Sequence, residues 1–182
     1  PLKPAKTKLP AAAIAAAEAS ARQDEPLFML LDGHDDQARF CRRVLGRILH
    51  YAASLVPSVT TTPQDIDDAM KLGFNWQRGP FEMIDAIGQQ RFAALLDECG
   101  LTVPAFLEDG APNYSVQAGS LMIRHADGAR QPVNLPEGVM RFHMTRRTLH
   151  PILTNDAASL FALDGDLRLV EFHSKANALT DA

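Results

Sequence analysis

The chain has 182 residues, and 18 Lys plus Arg against 22 Asp plus Glu give a formal charge of -4 with its 6 His neutral, which excludes a nucleic-acid or polyanion binder by bulk charge. Its composition, 46% hydrophobic and 22% charged, excludes wholesale disorder, and the length allows one domain or one compact unit plus part of another. Two thiols, Cys41 and Cys99, are too few for a disulfide scaffold and lack metal-ligand spacing, so a reducing, cytoplasmic home is expected.

Pro10 followed by residues 11–22 is Ala-rich and favours helix. Its apolar part stops at Glu18, short of the roughly 18 residues a membrane span needs, so no transmembrane helix is expected. The chain opens on Pro1 and stops at Ala182 without a terminal cap, and so reads as a piece of something longer. Leu27–Leu31 is an apolar run closed by Asp32-Gly33, compatible with a short buried strand or with a helical turn.

From Gln37 the period is helical. Phe40, Val44, Ile48 and Ala52 fall four residues apart with Cys41, Leu45, Leu49 and Ala53 beside them, which predicts a core helix capped by Asp35 or Asp36 and stopped by Pro57. Arg39, Arg42, Arg43 and Arg47 take its remaining face, opposite solvent or acidic groups. Thr62-Pro63-Gln64-Asp65 is a helix start, with Gly73 as the expected exit. Gly79-Pro80 opens the next helix through Phe81, Ile84 and Ile87 to Gly88, and a fourth follows from Gln89 to Cys99.

After Leu107 the helical period disappears at the turn cluster 109–113. Leu121–Arg124 and Gln131–Asn134 flank Asp127-Gly128, which predicts a β-hairpin, and Leu160–Leu163 with Leu167–Phe172 around Asp164–Asp166 predicts a second.

No complete active site is legible in these elements. Asp65, Asp67 and Asp68 resemble an acid cluster, but a helix's first turn favours carboxylates through the dipole. His34-Asp35-Asp36 suits capping better than cation binding. His143, His150 and His173 are too far apart in sequence for a local zinc motif. Cys41 and Cys99 lie on apolar stripes, the usual place of inert buried thiols. Residues 120–150 carry Arg124, Arg130, Arg141, Arg146 and Arg147 against Asp127 and Glu137, which suits either a phosphate or acidic partner or a solvated linker. Gly-rich phosphate loops, Gly-x-Ser-x-Gly and His-Glu-x-x-His are absent from the sequence.

The segments Tyr51–Pro57, Asp65–Trp76 and Gly79–Gly88 resemble, in order and spacing, the C-terminal helical domain of 3-hydroxyacyl-CoA dehydrogenases. The resemblance implies a mainly α fold, a helical array of the 6-phosphogluconate dehydrogenase C-terminal-like kind, followed by a small β-hairpin connector. It singles out Trp76, Gly79, Pro80, Phe81, Asp85 and Gly88 as the structural motif, with Trp76 and Phe81 as buried anchors. The tail, Ala158–Phe161 and Val170–Leu179, resembles the opening strands of a crotonase-type enoyl-CoA hydratase, as in bifunctional fatty-acid β-oxidation proteins. There Lys175 and Ala176 would lie beside the coenzyme A groove.

The expected division is therefore a linker with an Ala-rich helix over 1–36, the helical domain over 37–108, a β-hairpin connector over 109–157 and truncated crotonase-like strands over 158–182. By the same resemblance the parent is an NAD-dependent dehydrogenase acting on (S)-3-hydroxyacyl-CoA, with NAD held by a Rossmann domain outside this chain. The segment itself would carry no catalytic residue, no metal and no cofactor, would be inactive alone, and would belong to a homo-oligomer. The alternative expectation is a stand-alone helical interaction module whose Arg-lined helix docks an acidic partner.

Overall fold

The computed structural model describes residues 11, 13–15, 26–140 and 142–173. The ambiguous apolar run is a helix, α1 (Pro26–Leu31). It leads into α2 (Asp36–Ser54), whose N-cap is Asp35, accepting the amide of Ala38 at 2.7 Å. The helix is where the period places it, but the stripe Phe40, Val44 and Ile48 is exposed by 67%, 40% and 37%. The rest of the expected stripe holds, since Leu49, Ala52 and Ala53 are buried, together with Ala38 and Gly46. Gly46 explains the choice of face: a Cβ there would lie 3.0 Å from Cys99 Sγ and 3.4 Å from Leu95 Cγ, so the missing side chain lets the neighbouring helix approach α2 closely.

Thr62 caps α3 (Pro63–Phe74) by accepting the amide of Gln64 at 3.3 Å. The helix runs past Gly73, the expected exit, and ends at Asn75, which adopts the left-handed region at φ 54°. Asn occupies that region more readily than most residues, so it substitutes for the glycine of a left-handed cap. α4 (Pro80–Ile87) and α5 (Gln89–Glu98) are joined by Gly88 alone, at φ 85°. A 3-10 turn, Ala105–Leu107, follows and buries Leu107.

Two three-stranded antiparallel sheets come next. The first, β1 (Tyr114–Gln117), β2 (Ser120–Arg124) and β3 (Arg130–Pro132), contains the expected hairpin between β2 and β3 and adds β1 on the other side of β2. β1 and β2 are joined by Ala118-Gly119, both at positive φ, the geometry of a tight hairpin turn; Ala at such a position carries no turn signal in the sequence. This sheet shares the helices' core, since Tyr114 and Ile123 are buried in one cluster with Leu49, Phe81, Phe92 and Leu96. It is pinned to the start of α3 by Gln64, whose side-chain amide exchanges two hydrogen bonds with the backbone of Asn134 at 2.5 and 2.9 Å. The change of composition after Leu107 thus marks a change of element inside one packed core.

Beyond it, α6 (Phe142–Thr145) and a 3-10 turn, Arg146–Thr148, precede the second sheet, ordered β4 (Leu153–Thr154), β5 (Ala158–Ala162), β6 (Arg168–Phe172). The expected second hairpin is β5–β6, with Leu160 opposite Val170. Phe142 meets Phe161 edge-on at 5.1 Å, and Arg146 Nη1 pairs with Glu171 Oε1 at 2.8 Å. Among the described residues, no helix is long and apolar enough to cross a membrane.

Candidate functional site

Gly79 is the N-cap of α4, yet it has no side chain with which to cap. Its neighbour Pro80 has no amide proton to satisfy, which leaves the amides of Phe81 and Glu82 as the next orphan donors of that helix. Both are taken by a residue from another helix. Asp67, in the middle of α3 and fully buried, accepts Phe81 N–H through Oδ1 at 2.8 Å and Glu82 N–H through Oδ2 at 3.2 Å. Its Oδ2 also accepts the Tyr114 hydroxyl at 2.9 Å. One carboxyl therefore links α3, α4 and β1. Gly79 is obligatory here, because a Cβ would fall inside the van der Waals envelope of Asp67 Cβ, Cγ and Oδ1.

The cluster is electrostatically loaded. Burial pushes the Asp67 carboxyl up to about 7, opposed by the Phe81 amide, reinforced by the negative charge of Glu82, and opposed again by Tyr114 and Lys71. Burial, with the Asp67 and Glu82 charges behind it, raises the Tyr114 hydroxyl well above its ordinary value. Glu82 turns back to accept the Gly79 amide through Oε2 at 3.0 Å and is paired through Oε1 with Lys71 Nζ at 3.0 Å. Glu82 thus supplies one half of a capping box and Asp67 supplies the half that glycine cannot.

Asp85, one turn further along α4, does the same for the sheet. Its Oδ1 accepts the backbone amide and the side-chain amide of Asn113, both at 2.9 Å, and its Oδ2 accepts the Tyr114 amide at 2.7 Å. Phe81 is wholly buried and meets Phe106 edge-on at 5.9 Å; Gly88 closes α4 by donating to Ile84 O at 2.9 Å. Trp76 is only half-buried, in the turn after Asn75. The structure therefore brings Gly79, Pro80, Phe81 and Asp85 together around Asp67 and Tyr114, with Trp76 at the rim. Lys175 and Ala176 lie outside the described residues.

Asp67, Tyr114 and Asn113 were missed by the reading of the sequence, which assigned Asp67 to its own helix dipole. The available signal was Gly79 itself: an N-cap without a side chain, followed by proline, requires an acceptor from elsewhere. The basic stretch also changes character. Arg124 is buried, its guanidinium 4.2 Å from the Phe106 ring centroid and paired with Asp109. Arg130 donates to Pro112 O at 2.7 Å, and Arg146 pairs with Glu171. Of the basic residues in that stretch, Arg141 and the side chain of Arg147 are outside the described residues.

As chemistry, the arrangement is closed: each carboxylate is committed to backbone donors or a lysine. No group of three or more potential metal ligands occurs among the described residues. A dinucleotide needs free amides at a helix N-terminus for its pyrophosphate. Here Asp35, Thr62 and Asp67 fill the N-termini of α2, α3 and α4, two of them with carboxyl groups, so those three are not free for a pyrophosphate, while α5 starts at Gly88 with no side-chain cap.

Residues 40–116 match the family model "3-hydroxyacyl-CoA dehydrogenase, C-terminal domain". The matched stretch contains the whole Asp67 cluster. The chain is 31% identical over 180 residues to "Probable 3-hydroxyacyl-CoA dehydrogenase" of Bacillus subtilis (strain 168), covering 96% of this chain and 23% of that protein. It is 42% identical over 55 residues to "Putative fatty acid oxidation complex trifunctional enzyme" of Rickettsia prowazekii (strain Madrid E), covering 30% of this chain and 8% of that protein. The protein of the same name from Rickettsia felis (strain ATCC VR-1525 / URRWXCal2) is 45% identical over 51 residues, 28% of this chain and 7% of its own length. No solved structure matches the chain. The chain spans about a quarter of the Bacillus relative, and the family match and that relative support the 3-hydroxyacyl-CoA dehydrogenase family.

Proposed function

We propose that this chain is helical scaffold from a fatty-acid β-oxidation enzyme, one that oxidises (S)-3-hydroxyacyl-CoA to 3-oxoacyl-CoA with NAD. The observation that carries the reading is that the Gly79-Pro80-Phe81 turn, its Asp67 cap and the Asp85 anchor form one buried unit inside the stretch matched by the dehydrogenase C-terminal model. NAD accepts the hydride in that chemistry and belongs to a Rossmann domain outside these residues; the filled N-termini of α2, α3 and α4 support this division of labour. The scaffold domain occupies 37–108 and 109–157 connects it to hydratase-like strands from 158 on, although the first sheet of that connector is packed into the helical core. Lys175 and Ala176 are the proposed coenzyme A contacts of the hydratase part. The whole protein works in the cytoplasm as a homo-oligomer, and this segment has no activity of its own.

The test follows NADH absorbance with NAD and a short (S)-3-hydroxyacyl-CoA, for residues 1–182 and for the longer protein that contains them. Turnover by the longer protein alone is the expected result. Turnover by the segment, or a well-folded longer protein that reduces no NAD, overturns the reading.

A further inference from the structure

The described part of the N-terminal segment, residues 11 and 13–15, is helical. Ala13 lines a hollow of about 360 Å³ together with Leu30 of α1 and with Ala38, Phe40 and Cys41 of α2. The segment therefore meets the rest of the chain beside the short loop that joins those two helices. From that hollow an apolar edge of α2 continues towards its C-terminus through Val44 and Ile48, exposed by 40% and 37%. Contiguous apolar surface of this kind marks a place where something packs. At one end of it, the chain's own N-terminal segment is already in place.

Length, side-chain size and charge carry the segment further along this edge. α1 is joined to α2 by residues 32–35 alone and runs back beside it, with Leu27 and Leu45 both packed against the core cluster that holds Leu49. A helix continued from Ala13 to Arg22 rises about 14 Å, from the level of Phe40 to about that of Leu49. Residues 23–25 then return about 12 Å to Pro26, within the roughly 13–14 Å that four Cα–Cα steps span. At 100° per residue Ala13, Ala17 and Ser20 lie within about 60° of one another, a face of small side chains that seats closely on Cys41, Val44 and Ile48. Glu18, the only acidic residue of 11–22, falls on the neighbouring edge within about one turn of the level of Arg47. Arg47 is exposed and makes no ion pair among the described residues.

We propose that residues 11–22 of this chain dock as a helix along α1 and α2, with Ala13, Ala17 and Ser20 against Cys41, Val44 and Ile48 and with Glu18 paired to Arg47. The expected boundary at 37 then falls inside a packed unit, and the Ala-rich segment is the third helix of a layer with α1 and α2 rather than a linker. An Ala-rich helix of about 12 residues is marginal alone in water, so its order has to come from this contact. The inference does not depend on the dehydrogenase reading.

The experiment is amide hydrogen exchange read by mass spectrometry on residues 1–182, unmodified and as Val44→Asp, whose altered side chain is partly exposed. In the unmodified chain, peptides covering 13–21 should exchange at least about tenfold more slowly than the same sequence as a free peptide. Val44→Asp should remove that protection while α3 and α4 keep theirs. Arg47→Glu should cut the protection about threefold, and the further change Glu18→Lys should restore it. Exchange of 13–21 at the free-peptide rate overturns the proposal, and so does protection that survives Val44→Asp or ignores both charge changes. Protection that falls on dilution overturns it as well, since the contact would then be with a second copy.

Discussion

Gly79→Ala is the substitution that tests the reading of the buried cluster most directly. The backbone at 79 is extended, φ -75° and ψ 166°, so alanine is sterically allowed there, and the lower entropy of its unfolded state favours folding by about 0.5–1 kcal/mol. Against that, the new methyl occupies the volume of Asp67 Cβ, Cγ and Oδ1. Overpacking of this kind costs about 1–3 kcal/mol. If the carboxyl moves aside, it leaves the amides of Phe81 and Glu82 and the Tyr114 hydroxyl without an acceptor in a dry site, at about 1–3 kcal/mol for each donor left unmade. Relaxation will recover part of this, so the expected net loss is about 3–5 kcal/mol in urea denaturation followed by far-UV circular dichroism. Gly73→Ala supplies the comparison: nothing lies within 4 Å of a Cβ there, so this helical position should gain about 0.5–1 kcal/mol. A loss below about 1 kcal/mol for Gly79→Ala would refute the claim that Asp67 and Gly79 are matched by shape.

Asp67 should make stability depend on pH in the direction opposite to a salt-bridged carboxylate. Its folded pKa of about 7 lies above the ordinary carboxyl value of 3.8, so its contribution is fully present below about pH 4 and is lost as pH rises through 7. The difference corresponds to a few kcal/mol at most. Asp67→Asn should flatten the dependence of the urea midpoint between pH 4 and 8, and an unchanged slope would count against the assignment. Tyr114→Phe removes one donor to that carboxyl and should cost about 1–2 kcal/mol at pH 6, measured by the same unfolding curve.

Helix positions were legible in the sequence because caps and prolines are local signals. Asp35, Thr62-Pro63 and Gly79-Pro80 start the helices where their chemistry predicts. What could not be read locally was which side of a helix meets which neighbour. On α2 the larger residues, Phe40, Val44 and Ile48, are exposed, and the buried side is the one where Gly46 allows a closer approach. The expected stripe is broader than the buried face: its Leu49, Ala52 and Ala53 are buried, and backbone proximity decides which part of it meets the core. Likewise Asp67 looked like an ordinary first-turn acid, because the donor it serves lies 14 residues away on the next helix. β1 escaped notice since its buried residue is Tyr114, held by Asp85 and Asp67 rather than by an alternating apolar pattern.

The two sheets also differ in what holds them, and the difference bears on where the helical unit ends. β1 to β3 is attached by buried polar contacts that reach back to α3 and α4: Asp85 to Asn113 and Tyr114, Asp67 to Tyr114, Gln64 to Asn134. Each such contact leaves a buried donor or acceptor unsatisfied if the sheet detaches, so helices and sheet should unfold as one cooperative unit. In the second sheet, Leu153, Leu160 and Val170 form an apolar row across all three strands, and Leu153 and Val170 remain exposed by 69% and 51%. Its hydrogen bonds Arg146 to Glu171 and Thr154 to Ser159 join nearby elements of the same region. Amide hydrogen exchange should therefore report strong, matched protection for α3, α4 and β1–β2 and weaker protection for β4–β6. Equal protection of both sheets would mean that the second is bound to the core by packing that its exposed apolar row does not suggest.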